Sequence, residues 1–342
     1  MPVRAILVGG DNPHANGWLE TFAHSPAVSD LALCGTWPGA ADGASVYATL
    51  EETLETGPFG VGLVCAQNGK APELATALIE AGIPTLVEKP VARTAKEIAA
   101  IETCAQVHGT PWSSCFLNRY HPAVLQMRDW IGQGAIGPLV SVEGRMVTST
   151  VAQRNPRHWL FDRAQSGGGI LHWLAIHTVD LIRYISGDEY DCVSGQVATL
   201  VEDIDVEEIA TATFRLSGGA IGHIHAAYAL PRRYGDIQLI ARGQRGDITW
   251  QSWDYAGRQD QLALQSDVEP WSQSIYLQKS CPAPGGVGYG GQMGLDFLND
   301  FIRAAEEKKP FVCTGLDALR SMQFVEGVYQ SAESGQRVDL FN

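Results

Sequence analysis

Short, mainly apolar runs alternate with helical patterns through the first third of the chain. Runs at positions 5–8, 31–34, 61–64, 85–87 and 112–116 predict buried strands. Between the last three runs lie helical patterns, at 73–81 and from 94 to about 107. Strands and helices in this rhythm form a parallel sheet with helices on both faces. Residues 1–120 are therefore predicted to form a parallel α/β domain.

The ends of these two helices are marked by residues that cap or stop a helix. Gly82 follows the first helix and suits the left-handed conformation found after a helix C-terminus. Thr94 and Glu97 have the spacing of a capping box, in which each side chain bonds the backbone N–H of the other residue. The second helix is therefore predicted to begin at Thr94 and to end before Gly109-Thr110-Pro111.

The pattern changes after residue 120, where strands begin to follow one another directly. Strands are predicted at 139–150, 192–201, 206–216, 220–229, 236–241 and 247–251, and helices at 123–131, 171–185, 295–307 and 316–334. Successive strands joined by short turns form an antiparallel meander. Residues 121–342 are therefore predicted to form an α+β domain with one large, open, mainly antiparallel sheet.

Composition and charge narrow the class of protein. The 342 residues carry a formal net charge of −14, so neither nucleic acid nor an anionic membrane is expected as a partner. No run approaches the ~20 apolar residues that span a bilayer, and the N-terminus lacks a signal-peptide pattern. The seven cysteines show no regular spacing and are expected to be reduced thiols. A cytoplasmic location is the resulting expectation.

The turn after the first strand is the first candidate for ligand binding. Val8-Gly9-Gly10-Asp11-Asn12-Pro13-His14 stands where a dinucleotide fingerprint is expected, but only two adjacent glycines of the G-x-G-x-x-G pattern are present. No acidic residue for the ribose follows the second strand. The candidate cofactor contacts at the ends of the first three strands are Gly9, Gly10, Asn12, His14, Thr36, Ala66, Gln67 and Asn68. Ordinary turns are the alternative, and the choice between NAD and NADP stays open.

Glu88-Lys89-Pro90 closes the fourth predicted strand. A lysine at the end of a buried strand is partly desolvated, which lowers its pKa and suits it to proton transfer. A surface ion pair is the alternative reading of this tripeptide alone. Because a second motif lies downstream, we predict that all three residues contact the cofactor and that Lys89 is catalytic.

The second motif runs from Gly167-Gly168-Gly169 to Asp180. Trp173, His177 and Asp180 are spaced to share one face of a helix. Histidine titrates near neutral pH, so His177 is the predicted base for a hydroxyl proton, with a packed core histidine as the alternative. The central expectation is that Lys89 and His177 face a common cleft beside a nicotinamide.

Further residues are predicted to line the same cleft. His158, Trp159 and Asp162 precede the glycines, and Trp159 and Trp173 offer flat faces to a sugar, although core packing is the alternative for each tryptophan. His223 and His225 alternate on a strand without further ligand residues, so no metal site is predicted.

These motifs together resemble the Gfo/Idh/MocA family, the relatives of glucose–fructose oxidoreductase and inositol dehydrogenase. Glu88-Lys89-Pro90 is similar to the family's E-K-P, and residues 116–122, with Arg119 and Tyr120, are similar to its F-x-x-R-[FY]-x-P passage. Residues 167–180 are similar to G-G-G-x-L-x-D-x-G-x-H-x-x-D, with Trp173 in place of the first aspartate.

The resemblance implies a Rossmann-type dinucleotide-binding domain at 1–120 and, at 121–342, a substrate-binding domain whose open sheet forms homodimers or homotetramers. It implies NAD(P)-dependent hydride transfer between nicotinamide and a secondary hydroxyl or ketone of a sugar or cyclitol. Lys89 would then steady the hydroxyl, His177 would exchange its proton, and Arg119 and Tyr120 would lie at the substrate.

Two other functions stay open on the sequence. Trp173 in place of the family aspartate is compatible with a lyase or glycosidase that recycles its cofactor, which would form product without net change in NADH. The incomplete fingerprint is compatible with a sugar- or nucleotide-sensing protein that has lost catalysis.

Overall fold

The computed structural model describes residues 1–40, 45–200, 204–231, 235–253, 260–274, 276–281 and 285–340, with the backbone alone at 253, 280 and 281. The chain divides into two compact units. The first consists of Met1–Tyr120, Ala164–Ser166 and the described part of Pro284–Leu319. The second consists of the described parts of His121–Arg163, Gly167–Ala283 and Arg320–Asn342.

The first 114 residues alternate strands with helices, as predicted. The elements are β1 (Val3–Gly9), α1 (Ala15–His24), β2 (Val28–Gly35), β3 (Ser45–Tyr47), α2 (Leu50–Glu55), β4 (Val61–Cys65), α3 (Ala71–Glu80), β5 (Thr85–Val87), α4 (Ala95–His108) and β6 (Trp112–Ser114). The five predicted strands are confirmed. The short β3 and α2 were not predicted, because three and six residues are too few to establish a period.

The sheet of the first unit is parallel throughout its described strands, in the order β3-β2-β1-β4-β5-β6. The chain moves outward from β1 to β3 and then returns to the other side of β1 at β4. Ligands of such sheets bind beyond the carboxyl ends of the strands at this reversal. The parallel sheet is confirmed, and its reversal lies at the ends of β1 and β4.

The later elements follow in chain order, including one turn of π-helix at Leu171–Ala175. They are α5 (Pro122–Gly132), β7 (Leu139–Ser149), α6 (Arg163–Ser166), α7 (Ile176–Ser186), β8 (Tyr190–Ala198), β9 (Ile209–Leu216), β10 (Ile221–Leu230), β11 (Asp236–Gly243), β12 (Gly246–Trp253), β13 (Asp260–Ser266), β14 (Leu277–Cys281), α8 (Gln292–Glu307), α9 (Gly315–Ser334) and β15 (Val338–Asp339).

The sheet of the second unit has the order β14-β13-β12-β11-β7-β10-β9-β8-β15 in the described residues. It is mainly antiparallel, as predicted, but the simple meander is wrong. The long strand β7 lies between β10 and β11, and it pairs with β10 in parallel and with β11 antiparallel. Turn residues predict a hairpin locally but carry no signal for a strand that joins from a distance.

Burial along β9 explains why the second sheet has two different faces. Ala210, Ala212, Phe214 and Leu216 are buried, while Thr211, Thr213 and Arg215 alternate with them and are exposed. This period of two places one face of the strand in the core and leaves the other in water.

The capping prediction at Thr94 is confirmed in one half only. The N–H of Glu97 donates to the Thr94 hydroxyl at 3.2 Å. The Glu97 carboxylate, however, accepts from the backbone N–H of Arg93 at 2.9 Å and from the Arg93 guanidinium at 3.1 Å instead of from the backbone of Thr94. The complete capping box lies at Thr49 and Glu52, where both reciprocal bonds measure 3.2 Å.

Among the described residues, no helix combines the length and the hydropathy of a segment that crosses a bilayer.

Candidate active site

The turn between β1 and α1 has a backbone that favours glycine. Gly9 and Gly10 have φ values of +107° and +86°. A Cβ on Gly10 would lie 2.0 Å from the carbonyl oxygen of Thr36, and one on Gly9 would lie 2.8 Å from that of Cys65. The turn therefore passes closely between the ends of β2 and β4, which is where a parallel sheet of this order holds a dinucleotide.

Asn12 closes this turn at the start of α1. Its buried side chain accepts a hydrogen bond from the N–H of His14 at 2.9 Å, and its carbonyl accepts from the N–H of Ala15 at 3.0 Å. The amide nitrogen also donates to the carbonyl oxygen of Ala66 at 3.4 Å. Asn12 thus joins the helix start to the end of β4.

Glu88, just after β5, is a buried carboxylate held by two residues of the α1 region. The indole N–H of Trp18 donates to one oxygen at 2.6 Å, and Nδ1 of His14 lies 2.8 Å from the other. Burial, and then the Lys89 ammonium, lower the pKa of His14, while Glu88 opposes the shift. A neutral ring therefore donates to the carboxylate through Nδ1, and Glu88 ties β5 to the start of α1.

Lys89 is fully buried, with no exposed surface. Burial lowers its pKa from 10.5 to about 8, although Glu88, Cys65 and Cys115 each raise it. The lowered pKa agrees with the desolvation expected of a lysine at a strand end. Pro90, which follows, is buried too.

The other predicted cofactor contacts lie around the glycine turn. The N–H of Thr36 donates to the carbonyl of Gly9 at 3.2 Å, and the N–H of Gln67 donates to the Asp11 carboxylate at 2.9 Å. Asn68 is buried, and its amide donates to the carbonyl of Ser166 at 2.6 Å. Thr36 and Gln67 therefore flank the turn through their main chains, while the amide of Asn68 already has a protein partner.

Tyr289 lies in a Pro- and Gly-rich segment, whose composition is compatible with a lid or a cleft loop, and it packs against α1. The ring of Tyr289 stacks on that of His14, with centroids 4.2 Å apart and planes inclined by 22°. The N–H of Tyr289 donates to the carbonyl of Gly17 at 2.9 Å. A Cβ on Gly17 would lie 3.0 Å from the Cβ of Tyr289, so this glycine serves the contact with the segment.

Arg119 and Tyr120 make their described contacts inside the first unit. Arg119 forms an ion pair of 2.9 Å with Asp317, and the Tyr120 hydroxyl donates to Asp300 at 3.0 Å. These bonds tie the 3-10 turn Leu117–Tyr120 to α8 and to the start of α9. They give both residues a structural role, and the predicted contact with substrate stays a prediction.

In the second unit, the glycine motif fits around a buried carboxylate that the sequence did not predict. Glu207 accepts from the N–H of Gly169 at 2.7 Å and from that of Leu171 at 3.0 Å. The hydroxyl of Tyr329, on α9, donates to it at 2.8 Å. A Cβ on Gly169 would lie 2.0 Å from the carbonyl oxygen of Glu207, which explains the glycine.

Glu207 therefore caps the helical segment that carries His177. Burial raises its pKa, while the hydrogen bonds from Gly169, Tyr329 and Leu171 oppose the shift. The sequence reasoning placed residue 207 inside a strand, but β9 begins only at Ile209. The available signal was a pair of acidic residues, Glu207 and Glu208, at the start of a run in which apolar and polar residues then alternate.

The predicted aromatic residues come together in the second unit. Trp159 and Trp173 meet edge to face, with centroids 5.8 Å apart, and the ring of His158 lies 5.5 Å from that of Trp159. Both tryptophans are buried. Asp162 follows directly, after the short helical turn Trp159–Phe161.

His177 lies in the first turn of α7, beyond the π-helical turn that contains Trp173. His177 and Asp180 are buried, at 6% and 1% exposure. Single π turns inside α-helices are frequent at functional sites. The structure thus assembles the predicted residues into two groups, one in each unit. The pairing of Lys89 with His177 stays a prediction.

Two family models match the chain. One, described as an oxidoreductase family with an NAD-binding Rossmann fold, matches residues 28–114. The other, described as the GFO/IDH/MocA C-terminal domain, matches residues 124–249. The chain belongs to the Gfo/Idh/MocA family. The resemblance found in the motifs is confirmed, and so are the Rossmann fold and the NAD-binding oxidoreductase class.

Two curated relatives of this Gfo/Idh/MocA protein are named as dehydrogenases. Levoglucosan dehydrogenase of Pseudarthrobacter phenanthrenivorans is 25% identical over 317 residues, which cover 81% of this chain and 79% of the relative. Myo-inositol dehydrogenase Hyg17 of Streptomyces leeuwenhoekii is 30% identical over 209 residues, which cover 60% and 62%. Neither the recycling lyase nor the sensor is favoured by these comparisons.

Solved structures share the whole fold. An oxidoreductase domain protein from Kribbella flavida superposes with a TM-score of 0.88 at 22% identity, over all of both chains. Levoglucosan dehydrogenase in complex with NADH superposes with a TM-score of 0.86, also at 22% identity and over all of both chains. At this identity the likeness establishes the fold.

Proposed function

We propose that this enzyme oxidises a secondary hydroxyl of a sugar, anhydrosugar or cyclitol, and reduces the corresponding ketone in the reverse direction. The relatives named for levoglucosan and for myo-inositol support this substrate class. The observation that carries the proposal is the buried Lys89, whose pKa is lowered to about 8, at the same sheet edge as the Gly9-Gly10 turn.

The first domain, 1–120 as predicted, binds the dinucleotide in this proposal. The glycine turn leaves its backbone uncovered by any Cβ, so a diphosphate can approach the start of α1. Glu88 fixes that helix start through His14 and Trp18. Bound NAD supplies the ring carbon that exchanges hydride with the substrate.

In this proposal Lys89 and His177 have different roles at the substrate oxygen: one donates a hydrogen bond, and the other exchanges the proton. The Lys89 ammonium donates a hydrogen bond to that oxygen. His177 accepts the hydroxyl proton as the hydrogen on carbon leaves with the electrons of its C–H bond, as hydride, and the C=O bond forms. In the reverse direction His177 returns the proton, and the ammonium stabilises the negative charge that develops on oxygen. The family aspartate is replaced by Trp173, so His177 carries the proton without that carboxylate.

The second domain, 121–342 as predicted, binds the sugar in this proposal. The edges of Trp159 and Trp173 provide an apolar wall for the C–H face of a sugar ring, and His158 and Asp162 provide polar groups beside it. Glu207 keeps the start of the His177 helix in place.

NAD rather than NADP is the proposed coenzyme. Residues 36–44, which lie between β2 and β3 in the sequence, contain no lysine or arginine to pair with a 2′-phosphate. Trp37 is buried, and its indole N–H donates to the carbonyl of Cys34 at 3.1 Å. Thr36 is therefore the residue after β2 that has its polar side chain next to the glycine turn. We expect kcat/KM to be higher with NAD than with NADP.

The assembly and location are proposals as well. The exposed face of β9, with Thr211, Thr213 and Arg215, belongs to the open sheet through which we propose a homodimer or homotetramer. Sedimentation of the wild type and of Thr213→Glu tests this, because a buried carboxylate would weaken such an interface. The cytoplasmic location stays a prediction.

A substrate panel tests the proposed activity. Levoglucosan, myo-inositol, aldoses and a linear polyol are each supplied with NAD, and NADH formation is followed by its absorbance. We expect steady NADH formation with at least one cyclic substrate and reversal with its ketone. Tight binding of NAD without NADH formation across the panel would contradict the proposal, and product formation without NADH would favour the recycling lyase.

A further inference from the structure

Three metal-ligand side chains meet at the far ends of α3 and α4 in the first unit. Glu80, Cys104 and His108 each offer one ligand atom, and these atoms lie within 4.8 Å of one another. Glu80 and His108 are exposed, and Cys104 is half-buried. None of the three belongs to the site described above.

Local structure brings these residues together. Cys104 and His108 are four residues apart in the last turns of α4, so they lie on one face of the helix. Glu80 is the last residue of α3. The buried hydroxyl of Thr110, just beyond α4, donates to the carbonyl of Ile79 at 2.9 Å and so holds the two helix ends together.

Electrostatics at this corner favour a cation. α3 and α4 both end here, and the carbonyl groups of a helix C-terminus carry partial negative charge. The formal net charge of −14 adds a general attraction for cations. Because Glu80 and His108 are exposed, a cation can reach the three side chains from solvent.

The donor set identifies the class of metal. One thiolate, one imidazole and one carboxylate suit Zn²⁺, whereas Mg²⁺ and Ca²⁺ require oxygen ligands. Tetrahedral zinc with Zn–S of about 2.3 Å and Zn–N of about 2.0 Å places its ligand atoms about 3.6 Å apart. The exposed side chains of Glu80 and His108 close the remaining distance by rotation about their own bonds.

We propose that Glu80, Cys104 and His108 bind one Zn²⁺ ion per chain, with water completing the coordination. The ion fastens the C-terminal ends of α3 and α4 to each other. The ion takes no part in the proposed reaction. It binds whether or not the enzyme is turning over, and its loss leaves the activity unchanged.

Metal titration of the full-length protein tests the proposal. Protein stripped with a chelator is titrated with Zn²⁺ by calorimetry, and with Co²⁺ by absorption, in which a thiolate ligand gives a charge-transfer band. We expect one Zn²⁺ per chain with a Kd on the order of 1 μM, together with the thiolate band for Co²⁺. The Tm should rise with Zn²⁺ concentration.

Variants distinguish this site from other histidines and thiols. Cys104→Ser should remove the Co²⁺ charge-transfer band and weaken Zn²⁺ binding by about 100-fold or more, and His108→Ala should weaken it similarly. His24→Ala is the matched control, because His24 is also an exposed histidine in the last turn of a helix. Zinc binding that survives in both Cys104→Ser and His108→Ala, or that is absent at millimolar Zn²⁺ in the wild type, overturns the proposal.

Discussion

Nδ1 of His14 lies 2.8 Å from a carboxylate oxygen of Glu88, across 74 residues of sequence. The contact joins the start of α1, where the dinucleotide fingerprint is incomplete, to the tripeptide that contains Lys89. Trp18 donates to the second oxygen of the same carboxylate at 2.6 Å. Glu88 thereby holds the helix start and, as the neighbour of Lys89, raises the pKa that burial lowers.

The lowered pKa of Lys89 predicts that kcat/KM depends on pH, with a fall in activity near the pKa of this residue. The ammonium is present below about pH 8 and is lost above it, because burial has moved the pKa down from 10.5. In ketone reduction, in which His177 also returns a proton, kcat/KM should therefore contain a falling limb near pH 8 that belongs to Lys89. Lys89→Arg should lack this limb, since a guanidinium stays charged. Lys70→Arg, at an exposed lysine of the same unit, should keep the wild-type profile. A wild-type profile that is flat from pH 7 to about 9.5 contradicts this role.

Replacement of Glu88 by glutamine should move that limb to lower pH. The carboxylate raises the pKa of Lys89, so its removal lets the pKa fall below about 8. The change also weakens the bonds from Trp18 and His14, at a cost of about 1–3 kcal/mol in the free energy of unfolding. Glu102→Gln is the matched control, because Glu102 accepts from the indole of Trp112 at 2.8 Å. An unshifted or raised limb in Glu88→Gln shows that the carboxylate does not set this pKa.

Alanine at Gly10 should disrupt the turn and NAD binding together. Its Cβ would lie 2.0 Å from the carbonyl oxygen of Thr36, and φ is +86°. Gly82 has a similar φ of +73° but nothing within 4 Å, so Gly82→Ala measures the backbone strain alone, about 1–2 kcal/mol. Chemical denaturation should show a loss at least about 2 kcal/mol larger for Gly10→Ala, and calorimetry should show weaker NAD binding. Equal losses in the two variants mean that the close approach has no energetic consequence.

Glu207→Gln should destabilise the second unit and slow the reaction. The carboxylate accepts from two backbone N–H groups and one hydroxyl, and an amide retains only one accepting oxygen. We expect a loss of about 1–3 kcal/mol in the free energy of unfolding and a lower kcat. Tyr329→Phe removes one of the three bonds and should cost about 1 kcal/mol. Wild-type stability in Glu207→Gln contradicts the capping role.

Local patterns were sufficient for five of the six described strands of the first sheet, all but β3. Each of the five is a short, mainly apolar run, a helix separates it from the next of the five, and right-handed parallel pairing leaves few alternatives for that order. Gly9 and Gly10 were recognised because their neighbours in sequence show a strand-to-helix turn. Trp159 and Trp173 were each recognised as candidates because both lie close to the three glycines, but their contact with each other was not predicted.

Relationships between distant residues left little trace in the sequence. Tyr289 stacks on His14 from a position 275 residues later. The Pro- and Gly-rich composition around Tyr289 is compatible with a cleft loop, but it does not indicate which residue the tyrosine contacts. Glu207 was assigned to a strand because apolar and polar residues alternate after it. Its carboxylate instead accepts from the N–H groups of Gly169 and Leu171, at the start of the helical segment that carries His177. The position of β7 between β10 and β11 could not be predicted for the same reason, because strand pairing depends on contacts across the whole sheet and not on neighbouring residues in the sequence.

A double-variant cycle in kcat tests the central claim, that Lys89 and His177 act on one substrate oxygen. Lys89→Met, His177→Gln and the double variant are compared with the wild type, each first shown to be folded and to bind NAD. We expect each single variant to lower kcat about 10²–10⁴-fold, and the double variant to be about as slow as the slower single one, because groups that act as a unit are not additive. Losses that multiply in the double variant, or wild-type kcat in either single variant, would contradict the account.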